Sequence, residues 1–151
     1  MLLWRISNHA ELSGEGGLGA SARWHSAGRR IVYLGQNPAT CLLEHLVHLE
    51  IDAEDMPSTF RTLKIEVPDV IYAGSETSLG LPNDWQDNIE LTQTIGNQWL
   101  TDGPLLLRVP CALVPETENV LLNSGHRDAP SIKIIDVIDF PFDQRLISGR
   151  S

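Results

Sequence analysis

The chain has 151 residues, 42% of them hydrophobic, which is enough for one folded domain over residues 1–151 and excludes disorder as the starting expectation. Its formal net charge of -9 excludes the cationic footprint that holds nucleic-acid backbones, so no direct DNA or RNA partner is expected. Two cysteines, Cys41 and Cys111, make no disulfide framework, and no stretch approaches the roughly 18 apolar residues of a membrane span. The N-terminal run also lacks the basic region and apolar core of a signal peptide, so a cytoplasmic protein is expected.

In chain order, Leu2 to Ile6 reads as a short strand, followed by a glycine-rich loop from Gly14 to Gly19. Arg23-Trp24-His25 and Ile31 to Leu34 read as two strands joined by a turn at Gly28. Asn37-Pro38 opens a helix, with Asn as the cap and Pro at the first helical position. Ala39, Leu42, Leu43, Leu46 and Val47 recur at helical spacing, and this stripe is expected to pack on a sheet. Phe60 to Val67 alternates, with Leu63, Ile65 and Val67 on one side, as a half-buried strand does. Gly74 to Asp87 reads as loop, and Leu91 to Leu100 as a helix interrupted at Gly96. Leu105 to Val109, Val120 to Leu122 and Ile132 to Phe140 read as strands. One strand, one helix and then mostly strands is not the alternation of a doubly wound sheet, so the α+β class is expected.

Several residues carry chemistry in their types. Gly14-x-Gly16-x-x-Gly19 has dinucleotide-fingerprint spacing, but Arg23-Trp24-His25 and a turn follow where the motif requires a helical stripe. Arg23 has two readings, a snorkelling surface cation or a bidentate clamp for a diphosphate. Glu44 falls at the flank of the apolar stripe, as a solvated helix carboxylate or as one reaching a cleft. Tyr33 faces the same way as Ile31 and reads by itself as a core aromatic. His45 and His48 lie on the polar side of the helix with no partner at ligand spacing, so no metal is expected. Cys111 and His126 are the residue types of a thiol nucleophile and its base, with no local motif to support the pairing.

In order, the chain contains Trp4-Arg5-Ile6-Ser7, Ala22-Arg23-Trp24-His25-x-x-Gly28, Val32-Tyr33-Leu34 and Leu43-Glu44-His45-Leu46. Then come Val109-Pro110-Cys111-Ala112-x-Val114-Pro115, Asn119-x-Leu121-x-Asn123-x-x-His126 and Phe142-Asp143-x-Arg145-Leu146. This series resembles the RES domain, the toxin half of bacterial toxin–antitoxin pairs, from Trp4 to Leu146. The resemblance implies a fold similar to that of ADP-ribosyltransferases, with strands around a central cleft and flanking helices. It implies NAD+ as substrate, degraded by hydrolysis or phosphorolysis, or used to transfer ADP-ribose to a protein. It implies an Xre-type helix-turn-helix antitoxin as partner, and leaves open a homodimer or a higher toxin–antitoxin assembly. Arg23, Tyr33 and Glu44 match the family's arginine, tyrosine and glutamate. The chain departs from the family at Cys111, where serine is usual, and at Ala22, where glycine commonly precedes the arginine.

Under this resemblance Glu44 stabilises the developing oxocarbenium, since the cationic nicotinamide leaves without needing a proton. Arg23 pairs with the diphosphate, Tyr33 stacks on the nicotinamide, and Arg5 is either a second phosphate contact or a structural ion pair. Position 111 orients the ribose, holds the glutamate, or packs. Three other readings stand beside this one: a Rossmann oxidoreductase, a cysteine hydrolase, and an antitoxin-binding module left catalytically weak by Cys111.

Overall fold

The computed structural model describes residues 1–48, 60–78 and 80–146. Its centre is a seven-stranded sheet in the order β4-β5-β6-β2-β1-β3-β7. The strands are β1 (Leu2–Ser7), β2 (Val32–Gly35), β3 (Arg61–Glu66), β4 (Glu76–Thr77), β5 (Leu106–Pro110), β6 (Glu118–Leu122) and β7 (Lys133–Ile138). The helices are α1 (Gly16–Gly19), α2 (Pro38–His48), α3 (Asp69–Ala73) and α4 (Ile89–Asp102). Every strand pair is antiparallel except β4 with β5. This is the α+β class expected from the sequence. The strands that flank the one-turn α1, β1 and β2, pair antiparallel, so the glycine stretch lies in no βαβ unit, which removes the Rossmann reading.

The sheet has a seam. β1 pairs with β3 along its whole length, and β2 pairs with β6 along its whole length. Between β1 and β2, however, only Trp4 and Gly35 are in register. Beyond that pair Arg5 and Ile6 part from Leu34 and Tyr33, and a cleft opens within the sheet.

Alternation sorts the central strands onto two faces. Leu34, Leu106, Val120 and Leu122 join Leu3, Leu63 and Ile65 in one buried cluster. Leu107, Val109 and Leu121 join Trp24, Trp85, Trp99 and Leu100 in the other, with Tyr33 packed against it. The alternating strand expected at Phe60 to Val67 is present, and Leu63, Ile65 and Val67 are all buried.

Three expectations need correction. Arg23-Trp24-His25 is not a strand, because Ala22 and His25 close a turn by an isolated bridge and Arg23 and Trp24 lie within it. The stretch from Gly74 to Asp87 contains strand β4 and a short 3₁₀ turn at Trp85–Asp87, and its residue 79 lies outside the described residues. The helix over Leu91 to Leu100 is not interrupted at Gly96 but runs through it from Ile89 to Asp102, capped by the Asn88 side chain on the Leu91 N–H at 3.1 Å. Gly96 is there for packing. A Cβ at this position would overlap the carbonyl oxygen of Trp24.

That contact yields a test of sign. In an ordinary helix interior Gly→Ala gains about 1 kcal/mol. Here the overlap should dominate, and Gly96→Ala should lose roughly 1–3 kcal/mol, lowering Tm by about 2–12 °C for a chain of this size. An unchanged or raised Tm in thermal unfolding would contradict the close approach of α4 to Trp24.

Candidate active site

The helix that carries the glutamate is seated by small groups. The Asn37 side chain caps α2, accepting from the Thr40 N–H at 2.8 Å. A Cβ on Gly35 would stand 2.6 Å from Cys41 Sγ, so the bare glycine lets α2 approach the sheet. The Cys41 thiol donates to the Trp4 carbonyl at 3.2 Å, and burial pushes its pKa to about 12. The expected packing stripe is therefore rotated: Ala39, Leu43 and Val47 are exposed, while Thr40 and Leu46 are buried and Cys41, Leu42, Glu44 and His45 are half-buried. The periodicity marked a hydrophobic face, but a close seat over glycine turns the polar, short-chained face inward. His45 is likewise not on a solvated face, for its ring packs edge-on to Phe60 at 4.2 Å and beside Phe142 at 5.8 Å.

Glu44 points to the strand ends across the seam. Its Oε1 accepts from Asn119 Nδ2 at 3.0 Å and from Cys111 Sγ at 3.3 Å. Its Oε2 has the looser contact, His48 Nε2 at 3.9 Å. Asn119 is a site neighbour that the residue-by-residue reading missed. It appeared there only as part of a motif, although a polar amide inside a strand whose neighbours are Val120 and Leu121 is a signal in itself.

α4 positions the arginine. Thr92 Oγ1 donates to the Arg23 carbonyl, and Gln93 Nε2 donates to that of Ala22 at 2.9 Å. Asn97 exchanges hydrogen bonds with Ser26, accepting from its N–H at 3.1 Å and donating to its hydroxyl at 3.0 Å. The Arg23 guanidinium donates to the Gln86 carbonyl at 2.7 Å and lies over the Trp85 ring at 5.6 Å. A carbonyl and an indole hold it, and it has no carboxylate partner among the described residues, so it is not an ion-paired surface arginine.

Tyr33 is fixed through its hydroxyl, which lies 2.8 Å from His25 Nδ1 and accepts from the Trp24 N–H at 3.2 Å. Burial raises its pKa, and burial likewise lowers that of His25, keeping the imidazole neutral. Arg5 donates to the Glu11 carbonyl at 3.1 Å, and burial lowers its pKa, with Glu11 nearby working the other way.

A cavity of about 690 Å³ opens between α2, the seam and the Arg23 turn. Arg5, Arg23, Tyr33, Glu44 and Asn119 all line it. That volume is in the range of roughly 300–1,000 Å³ usual for small-molecule sites. Four of the five residues proposed from the sequence therefore meet at one cavity. Cys111 is buried and stands behind the carboxylate. Among the described residues, no group of three or more His, Cys, Asp or Glu could hold a metal ion, and no helix is long and apolar enough to cross a membrane.

The cysteine-hydrolase reading fails on distance along the hairpin. The Cys111 N–H bonds the Thr117 carbonyl at one end of the β5–β6 hairpin, whereas His126 follows the other end, where the Asn123 N–H bonds the Leu105 carbonyl. Burial and the adjacent Glu44 carboxylate both raise the Cys111 pKa. A protonated, enclosed thiol is a poor nucleophile.

The fold is similar to that of one chain of the M. tuberculosis MbcT–MbcA toxin–antitoxin complex, with a TM-score of 0.68 and 19% identity, over 92% of this chain and 83% of that chain. The RES domain family model matches residues 2–143, and the chain belongs to the RES domain family. A protein named Toxin Res from Pseudomonas putida (strain KT2440) is 51% identical over 148 residues, covering 97% of this chain and 99% of that one. The Prs ADP-ribosylating toxin of Sphingobium sp. (strain YBL2) is 34% identical over 155 residues, covering 95% of each.

The state of Cys111 is directly measurable. Iodoacetamide at neutral pH should leave Cys111 unmodified in the native protein and label it after unfolding in urea, as read by peptide mass mapping. Rapid labelling of the native protein at Cys111 would contradict a thiol engaged with Glu44.

Proposed function

We propose that this chain is a single-domain toxin of a bacterial toxin–antitoxin pair and that it cleaves the nicotinamide–ribose bond of NAD+. The observation that carries the reading is the convergence of Glu44, Arg23, Tyr33 and Arg5 on one cavity at the sheet seam. The similarity to proteins named as toxins supports the toxin reading, and the ADP-ribosylating toxin of Sphingobium among them supports chemistry at NAD+.

Under this reading each residue has a task. Oε2 of Glu44 is the carboxylate oxygen not occupied by the two donors on Oε1, and it is the one that would accept from a ribose hydroxyl. A carboxylate there stabilises the positive charge that develops on the sugar as nicotinamide departs. Nicotinamide leaves as a neutral base from a cationic precursor, so no proton donor is required. Arg23, backed by a carbonyl and an indole, serves the diphosphate, and Arg5 is the second cation available to it. Tyr33, tethered through its hydroxyl, offers its ring to the nicotinamide. Cys111 acts through Glu44, as a positioning residue. Its hydrogen bond to the carboxylate opposes the view that cysteine at this position leaves a mere binding module.

The acceptor is water, phosphate or a protein side chain. The partner is an Xre-type antitoxin that closes the cavity near Arg23, and the setting is the bacterial cytoplasm. The test is to incubate the purified protein with NAD+, with and without phosphate, and identify the products by mass spectrometry. Release of nicotinamide is expected in both if water is the acceptor, and only with phosphate if phosphate is. Glu44→Gln should keep Tm, because it keeps shape and helix propensity, and should lower turnover on the order of 10²–10³. NAD+ left intact by the parent protein would refute the reading, and a folded Glu44→Gln protein with parental turnover would refute the role of Glu44.

A further inference from the structure

Glu44 extends from a helix into a cavity, and a long side chain in that position has several rotamers open to it. What limits it is the pair of donors on Oε1, Asn119 Nδ2 at 3.0 Å and Cys111 Sγ at 3.3 Å. The two are unequal. A thiol is a weak donor, while an amide N–H is a good one and makes a charge-assisted bond to a carboxylate.

The amide is also held on a stiffer frame. Asn119 lies within β6, opposite Gly35 of β2 on one side and Val109 of β5 on the other. Its backbone is therefore locked by strands on both sides. Gly35, the same residue that seats α2, puts no side chain beside it, and Cys41 Sγ fills the space its Cβ would take. The position has no apolar payload to explain it. Its alternation places it on the face of Leu121, where a hydrophobic side chain would pack, and an amide there is accounted for by the carboxylate it meets.

We propose that Asn119 is the principal positioning residue for Glu44, fixing Oε1 so that Oε2 is presented to the substrate ribose. The inference rests on the NAD+-cleaving reading of the cavity. It has a consequence particular to this chain. Because position 111 supplies only a thiol, Asn119 bears most of the orientation, and a stronger donor at 111 compensates for its loss.

The experiment compares four proteins in one NAD+ turnover assay with melting temperatures: the parent, Glu44→Gln, Asn119→Ala, and Asn119→Ala with Cys111→Ser. Asn119→Leu is made alongside, since it keeps the side-chain volume within the strand and removes the donor. Asn119→Ala and Asn119→Leu should lower kcat about tenfold to a hundredfold, the range for losing one hydrogen bond to a charged group. KM for NAD+ should stay within about threefold, because the affinity contacts are elsewhere. Adding Cys111→Ser to Asn119→Ala should recover roughly tenfold of the lost kcat, as the hydroxyl takes over the oxygen. A purely structural role would not give that rescue. Parental kcat in a folded Asn119 variant overturns the inference, as does a loss confined to KM or one untouched by Cys111→Ser. If Glu44→Gln is inactive while Asn119→Ala is parental, the inference alone fails. If the parent itself leaves NAD+ intact, the functional reading fails instead.

Discussion

The site depends on a single point of contact between two half-sheets. Trp4 and Gly35 hold β1 to β2, and on the cavity side of that pair the strands separate. A fully paired sheet would fill the space with ladder hydrogen bonds and would place Arg5 and Tyr33 on a closed surface. The partial pairing instead makes them walls of a cleft. Gly35 has a second task at the same place. With no side chain it lets Cys41, and with it α2, come down on the sheet. The depth of the glutamate in the cavity is thus set by a residue with no side chain.

Two rigid supports then face each other across the cleft. On one side α2 carries Glu44, and the β5 and β6 strand ends supply the donors that aim it. On the other, α4 holds the Ala22–Ser26 turn through side chains of Thr92, Gln93 and Asn97 and through the close approach at Gly96. Arg23 is therefore on a turn but not a loose one. Its guanidinium is braced before any ligand arrives, which cuts the ordering cost of binding one there. The same logic applies to Tyr33, whose hydroxyl is occupied by His25 and the Trp24 N–H, so that only the ring is free to make contacts.

Much of this is legible in the sequence, for reasons that can be named. The strand at Arg61–Glu66 follows from strict alternation, and the start of α2 follows from Asn37-Pro38, because both signals are local. Arg23, Tyr33 and Glu44 were assigned by order of motifs, and no periodicity argument would have brought them together. The orientation of α2 was not legible. Its leucines outvoted Thr40 and Cys41 in any reading by hydrophobicity, yet a glycine on another strand decided which face goes inward. Gly96 misled in a similar way, since a helix glycine reads as a break until the residue it packs against is known. Asn119 was hidden for the same reason, because the carboxylate that explains it is 75 residues away in sequence.

The most direct test of a substrate cleft at the seam is a crystal structure of Glu44→Gln soaked with NAD+. The account predicts intact NAD+ between β1 and β2, with its diphosphate on the Arg23 guanidinium, its nicotinamide against Tyr33 and a ribose hydroxyl within hydrogen-bond distance of residue 44. NAD+ bound at another surface, or in the cavity with its diphosphate turned away from Arg23, would contradict it.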